Sequence, residues 1–359
     1  MDEFKIASAL PVSRRAVLGA GLLGAAMLAS PFVRRAAAAE DNVLYVNTWG
    51  GDWEAAVKKF LFDPFTKDTG IEIRTVSPIS FAKLSAQKTT GVYEFDVTTL
   101  GVADVARANA AGLLESFEGR VDPAKLWKGA VYENGLATHG FATQLAYNAS
   151  KFPSGGPKNW ADFFDTAKFP GNRSLQRHAA RVLAIALLAD GVPADKLFPY
   201  DLDRAFASLD KIKPDVRVWW TAGPQARQIL ADGEVDLAAL WDSDALGAKK
   251  ASKDPIEVVW DQAVIDQGCW IVAKDSPHAE NGFKLINHIG QNAEGLAQFC
   301  IADSNGPMNP KSFDFIPADI AKTMPTYPEH LARAVMLDGA KLLPQLDDLT
   351  TRFESWVGI

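Results

Sequence analysis

Tryptophan beside aspartate is the pairing in this sequence best suited to chemistry. Of its ten tryptophans, Trp49, Trp53, Trp219, Trp220, Trp241 and Trp270 fall within or at the ends of strand-like runs. Asp52 stands between Trp49 and Trp53, and Asp244 follows Trp241 by three residues. An indole face beside a carboxylate suits an ammonium group that loses its water on binding. Each cation–π contact contributes about 0.5–2 kcal/mol, and Trp is the best ring for it. Large aromatics more often fill cores. Trp49 and Trp241 are read as exceptions, because each closes a strand beside Gly or Asp. Asp52 also reads as a helix N-cap, and Asp244 as a solvated loop acid.

Motifs for turnover are missing. His139, His178, His278, His288 and His330 show neither HxxxH nor HxH spacing, so a zinc site is poorly supported. No GxSxG elbow, P-loop or GxGxxG after a strand occurs, and Gly50-Gly51 reads as a turn that permits close approach. The expectation is a binding protein without cofactor or metal.

The elements that must position these residues alternate. Val43–Val46 reads as a buried strand ending in Asn47-Thr48-Trp49-Gly50-Gly51, followed by a helix over Glu54–Thr66 that Pro64 interrupts near its end. Ile71–Val76 and Phe95–Leu100 read as strands, and Asp104–Ala111 as a helix stopped by Gly112. From Thr143–Tyr147 a second unit begins, with helices at Trp160–Thr166, Ala180–Ala189 and Leu202–Lys211. Val216–Trp220, Val235–Trp241 and Ile256–Trp260 read as strands. Gly268–Ala273 is a return strand, then Ala279–Ile289 a helix and Leu331–Trp356 a helical tail. The fold class is α/β with a largely parallel sheet. Two lobes joined by crossing strands place a cleft between them, where pockets usually form.

Trp49-Gly50-Gly51-Asp52-Trp53, Asp63-Pro64-Phe65, Thr69-Gly70-Ile71 and Phe95-Asp96-Val97 form an ordered series. Gly112-Leu113-Leu114, Ala146-Tyr147-Asn148, Gly233-Glu234-Val235-Asp236 and Leu240-Trp241-Asp242-Ser243-Asp244 continue it. Gly306-Pro307-Met308-Asn309-Pro310 and Arg352-Phe353-Glu354-Ser355-Trp356 close it. The series resembles the solute-binding proteins of polyamine-type ABC importers, whose relatives also bind GABA, opines and similar amines. The resemblance implies the type II periplasmic binding protein fold, with residues 40–143 plus 268–308 in lobe 1 and 144–267 plus 309–359 in lobe 2. It also implies a small amine ligand, a membrane permease as partner and a monomeric state. Trp49 and Trp241 match ligand-wall positions, and Asp244 matches the carboxylate that holds an ammonium. Trp53, Gly101 after the strand Phe95–Leu100, and Trp220 complete the expected lining. Two departures stand out: Gln176-Arg177-His178 and Gly268 occupy positions where polyamine binders carry acids. Arg177 suits bidentate recognition of a carboxylate, so a zwitterionic ligand is expected.

The N-terminus sets the expected compartment. Arg14-Arg15 precedes the Gly/Ala-rich stretch Ala16–Ala29, and small residues Ala36–Ala39 follow. This is a secretory layout of twin-arginine type, with cleavage after Ala39 and a periplasmic destination. Removing residues 1–39 deletes five basic and two acidic residues and moves the net charge from −7 to −10. Such acidity argues against nucleic acid as a partner. Cys269 and Cys300 are read as buried free thiols, since their positions cannot establish bridging geometry. The competing class is a cofactor-dependent enzyme exported by the same route.

Overall fold

The computed structural model describes residues 34–35 and 42–358, so the expected leader and its cleavage point lie outside the described residues. Eight strands form the main run of the sheet. They are β1 (Val43–Asn47), β2 (Glu72–Val76), β3 (Val97–Leu100), β4 (Gly135–Asn148), β5 (Arg173–Gln176), β6 (Val216–Trp220), β7 (Leu237–Trp241) and β8 (Ile256–Val272). Their spatial order is β2-β1-β3-β8-β4-β7-β5-β6.

This order corrects the expected largely parallel sheet to a mixed one. β1 pairs in parallel with β2 and β3, and β5 with β6 and β7. β4 and β8 run antiparallel to each other, and each also pairs antiparallel with one outer set. Their length is the reason. The expected strands Ile256–Trp260 and Gly268–Ala273 are parts of one strand of 17 residues, and Thr143–Tyr147 is the end of one of 14. Both cross from one half of the molecule to the other. Between Val259 and Val264 the register slips, and Gln262 adopts φ 58° there. The chain thus bends where the halves meet.

Each half has its own core, which fits the two-lobed binding-protein fold. Leu44, Val46, Phe62, Trp270, Phe299 and Cys300 pack in the first half. Trp220, Leu230, Leu240 and Ala245 pack in the second. A larger cluster joins them, running from Phe95 and Val105 through Val264 and Cys269 to Leu183 and Phe353. The helix Ala179–Ala189 shows the local logic. Its sequence AARVLAIALLA is rich in strong helix formers, and Ala179–Leu188 are all buried, so it has no polar face.

Ile316, Ala321 and Met324 pack in the first half's core. One sequence expectation fails at the C-terminal end. Leu331–Trp356 is not one helix. Asp338 accepts from the Lys341 backbone N–H and caps the short helix Gly339–Leu342. A 3-10 turn holding Pro344 then precedes the helix Leu346–Val357. Cys269 and Cys300 are buried free thiols, as expected.

Candidate ligand-binding site

The crossing strands build the floor of the site through pleat alternation. His139, Phe141 and Thr143 share one face of β4. Their directly opposed partners are Gly268 and Asp266 on β8 and Trp241 on β7, which therefore stand on the same face. Glycine at 268 is a steric requirement: a Cβ there would lie 2.1 Å from Cε1 of His139. The imidazole fills the space of the missing side chain, and burial pushes its pKa down to about 4, so it is neutral. Trp53 packs 6.4 Å from His139 and 5.8 Å from Trp270, which anchors the first-half wall.

One side of this floor is acidic. β7 ends at Trp241 and the helix Asp242–Ala251 starts at once, which puts Asp242 and Asp244 in its first turn. Asp242 is wholly buried; its Oδ1 accepts from the Ala142 N–H at 3.4 Å and its Oδ2 has no partner. Burial holds its carboxyl well above the usual range, with Asp303 adding to the effect. Burial also raises Asp244, which exposed Arg227 partly offsets. The carboxylate of Asp244 takes no hydrogen bond among the described residues. Gly223 makes room for it, because a Cβ there would lie 2.1 Å from Oδ2 of Asp244. Trp241 stands beside these acids with a buried, unpartnered Nε1.

The other side carries a buried cation. Arg181 lies in the first turns of the helix Ala179–Ala189, with its guanidinium carbon 5.0 Å from the Phe141 ring centroid. It donates to Asp266 at 2.8 Å and to Gln176 at 3.2 Å, while its Nε has no partner. Asp266 also accepts from the Val102 N–H at 3.2 Å, and a Cβ at Gly101 would come within 3.0 Å of its Oδ2. His178 is half-buried beside Arg181; burial of its ring and that charge push its pKa down to about 3. Acid and base thus flank the stretch Phe141–Thr143 of β4.

Comparison with known proteins gives the family. The family model for bacterial extracellular solute-binding proteins matches residues 61–329. This chain belongs to that family. A γ-aminobutyric acid-binding protein from Pseudomonas aeruginosa is 31% identical over 329 residues, 89% of this chain and 92% of the relative. The spermidine/putrescine-binding periplasmic protein of Escherichia coli is 26% identical over 294 residues, 77% of this chain and 78% of the relative. The solved Atu4243-GABA receptor superposes with a TM-score of 0.80 at 32% identity, over 88% of this chain and 98% of that one.

Within this solute-binding protein the expected lining residues fall into three groups. Trp241, Asp244, Trp53 and Gly101 border the floor of the crossing strands. Trp49, 57% exposed, and Asp52 sit at the rim where β1 turns into the helix Gly51–Val57. Trp220 and Arg177 stand elsewhere. Trp220 is wholly buried, donates to the Ala239 carbonyl at 2.9 Å and packs edge-on behind Trp241. Gln176 ends β5 buried, and Arg177, just past the strand, is exposed and pairs with Glu354 at 2.5 Å. The sequence reading missed Arg181, Asp266, His139 and Asp303. A visible sign of Arg181 was a charge within an otherwise apolar helix; Asp266 likewise interrupts an apolar strand.

Proposed function

We propose that the solute captured by this substrate-binding component of an ABC importer is a small zwitterionic amine of the γ-aminobutyric acid kind. The observation that carries the reading is the pairing of unmet acid and buried guanidinium on one floor. Asp242 and Asp244 have no cationic hydrogen-bond partner among the described residues, and Trp241 offers the ring for an ammonium. Arg181 takes the place that the sequence reading gave to Arg177. Its fork, pre-aligned by Asp266 and Gln176, suits a carboxylate at the far end. Similarity to the γ-aminobutyric acid binders at 31% and 32% identity supports the same class. The protein is read as a periplasmic monomer without enzymatic activity, exported by the twin-arginine route, that closes on its ligand and delivers it to a membrane permease.

One observation favours a second reading. Asp52, Asp242, Asp244 and Asp303 exceed what one ammonium needs, and a polyamine would use more of them. Calorimetry decides between them. Zwitterionic amines are expected to bind at least tenfold tighter than putrescine or spermidine, a difference of about 1.4 kcal/mol or more. Asp244→Asn and Trp241→Ala are each expected to cost more than tenfold, whereas Arg177→Ala leaves affinity unchanged. Submicromolar spermidine binding with no response to any amino acid would return the protein to the polyamine class.

A further inference from the structure

A carboxylate with no assigned role, Asp303, lies close enough to Asp244 for the two charges to act on each other, and it belongs to the opposite half of the molecule. Asp303 ends the helix Ala293–Asp303, whose Phe299 and Cys300 are buried in the first half's core. Asp244 belongs to the helix Asp242–Ala251, whose Ala245 and Ala248 are buried in the second half's core. Both helices are tied to one short stretch of β4. Gly306, three residues beyond Asp303, pairs with Gly140, while Trp241 pairs with Thr143 and Asp242 accepts from Ala142. Residues 140–143 span only about 10 Å of strand. The acids therefore converge, and Asp52 and Asp244 both act on Asp303 electrostatically. Asp303 takes a hydrogen bond from Nδ2 of Asn305 at 2.5 Å. Beside it, wholly buried Asp242 leaves Oδ2 without a hydrogen-bond partner among the described residues. The last carbonyls of the helix ending at Asp303 add further negative potential.

We infer that Asp303 is the first half's share of the ligand site: with Asp244 it grips the cationic nitrogen across the cleft, through its N–H bonds, and so selects primary ammonium or guanidinium groups over quaternary ones. The inference rests on the amine reading above. Acid on both halves repels itself when nothing lies between, so a bound cation favours closure and an empty cleft resists it. The selection follows from hydrogen bonding. A Trp face accepts a methylated nitrogen as readily as a bare one. A trimethylated nitrogen carries the charge but donates nothing, and buried acceptors left without donors are costly.

Calorimetry with γ-aminobutyric acid, putrescine and their N-permethylated analogues tests this on the wild type and on Asp303→Asn. The wild type is expected to bind the unmethylated amine at least a hundredfold tighter than its quaternary analogue. Asp303→Asn is expected to weaken the amine at least tenfold and to narrow that ratio. Equal amine affinity in the variant, or a wild type indifferent to methylation, overturns the inference while leaving the amine reading intact. A wild type that binds none of these amines refutes the amine reading instead, and the ligand-free protein at pH 8 then decides. There, removal of cross-cleft repulsion is expected to raise the thermal midpoint of Asp303→Asn, and an unchanged or lowered midpoint overturns the role of Asp303.

Discussion

Asp303 sits where burial and like charge act together on one carboxyl. Burial is the largest cause, Asn305 opposes it, and Asp52 and Asp244 add to it, so that the group titrates at about 7. Asp242 and the Cys300 thiol also face this cluster, and burial raises both. The sign of the linkage follows. Between its ordinary 3.8 and about 7, the folded protein keeps a proton on Asp303 that the unfolded chain has lost. This contribution to stability is therefore present at low pH and fades as pH rises through 7. Ligand affinity runs the other way, because an ammonium prefers the ionised acid. Affinity for γ-aminobutyric acid is expected to rise several-fold from pH 5.5 to 7 and to flatten above about 7.5, with proton uptake by buffer detected calorimetrically. A flat profile across that range would separate Asp303 from the ligand.

At the scale of elements, the site depends on where strands stop and which residues lack a side chain. The abrupt change from β7 to the helix Asp242–Ala251 turns two aspartates into a helical first turn, where the macrodipole favours acids. Gly223 opens the neighbouring helix Gly223–Ala231 and leaves space for Asp244. Gly223→Ala is expected to push the Asp244 carboxylate aside and weaken amine binding at least tenfold. The thermal midpoint should stay within a few degrees, because the atom displaced is the end of a side chain. A variant that binds as the wild type does would show that Asp244 does not hold the ligand from this position. Gly268 works in the same way on the opposite strand, where absence of a Cβ admits the His139 ring. The helix ends and the register between β4, β7 and β8 thus decide which acids meet.

For the whole molecule, the long strands β4 and β8 are continuous through both halves, and Val335–Met336 adds a third crossing beside Val264 and Ile265. Under the proposed closure, these strands are the hinge about which Asp303 and Asp244 approach each other, with each core kept intact. The buried Arg181–Asp266 pair sits on the same crossing and ties the helix Ala179–Ala189 to the end of β3 through Val102. On the proposed export route, the paired arginines Arg14-Arg15 direct the chain to the periplasm. Arg14→Lys combined with Arg15→Lys is expected to abolish periplasmic accumulation, read by fractionation and blotting. Undiminished export of that variant would reject the twin-arginine route.

Sequence alone determined the features that rest on local order and spacing. The ordered motifs from Trp49 to Trp356 placed the chain in its family. Apolar runs and caps located the helices near Ala180–Ala189 and Leu202–Lys211, and the strand Val216–Trp220. Trp241 and Asp244 were singled out as candidates because Trp241 ends a strand and Asp244 follows it in sequence. Only the tertiary structure decided the rest, because those contacts join residues far apart in the chain. Asp303 meets the Asp242–Asp244 turn across some sixty positions, and Arg181 meets Asp266 across 85. Arg177, one residue past β5, lies outside and meets Glu354, 177 positions away. A one-residue step along a strand reverses the side chain's face, and no local pattern reveals which face the partner half will cover.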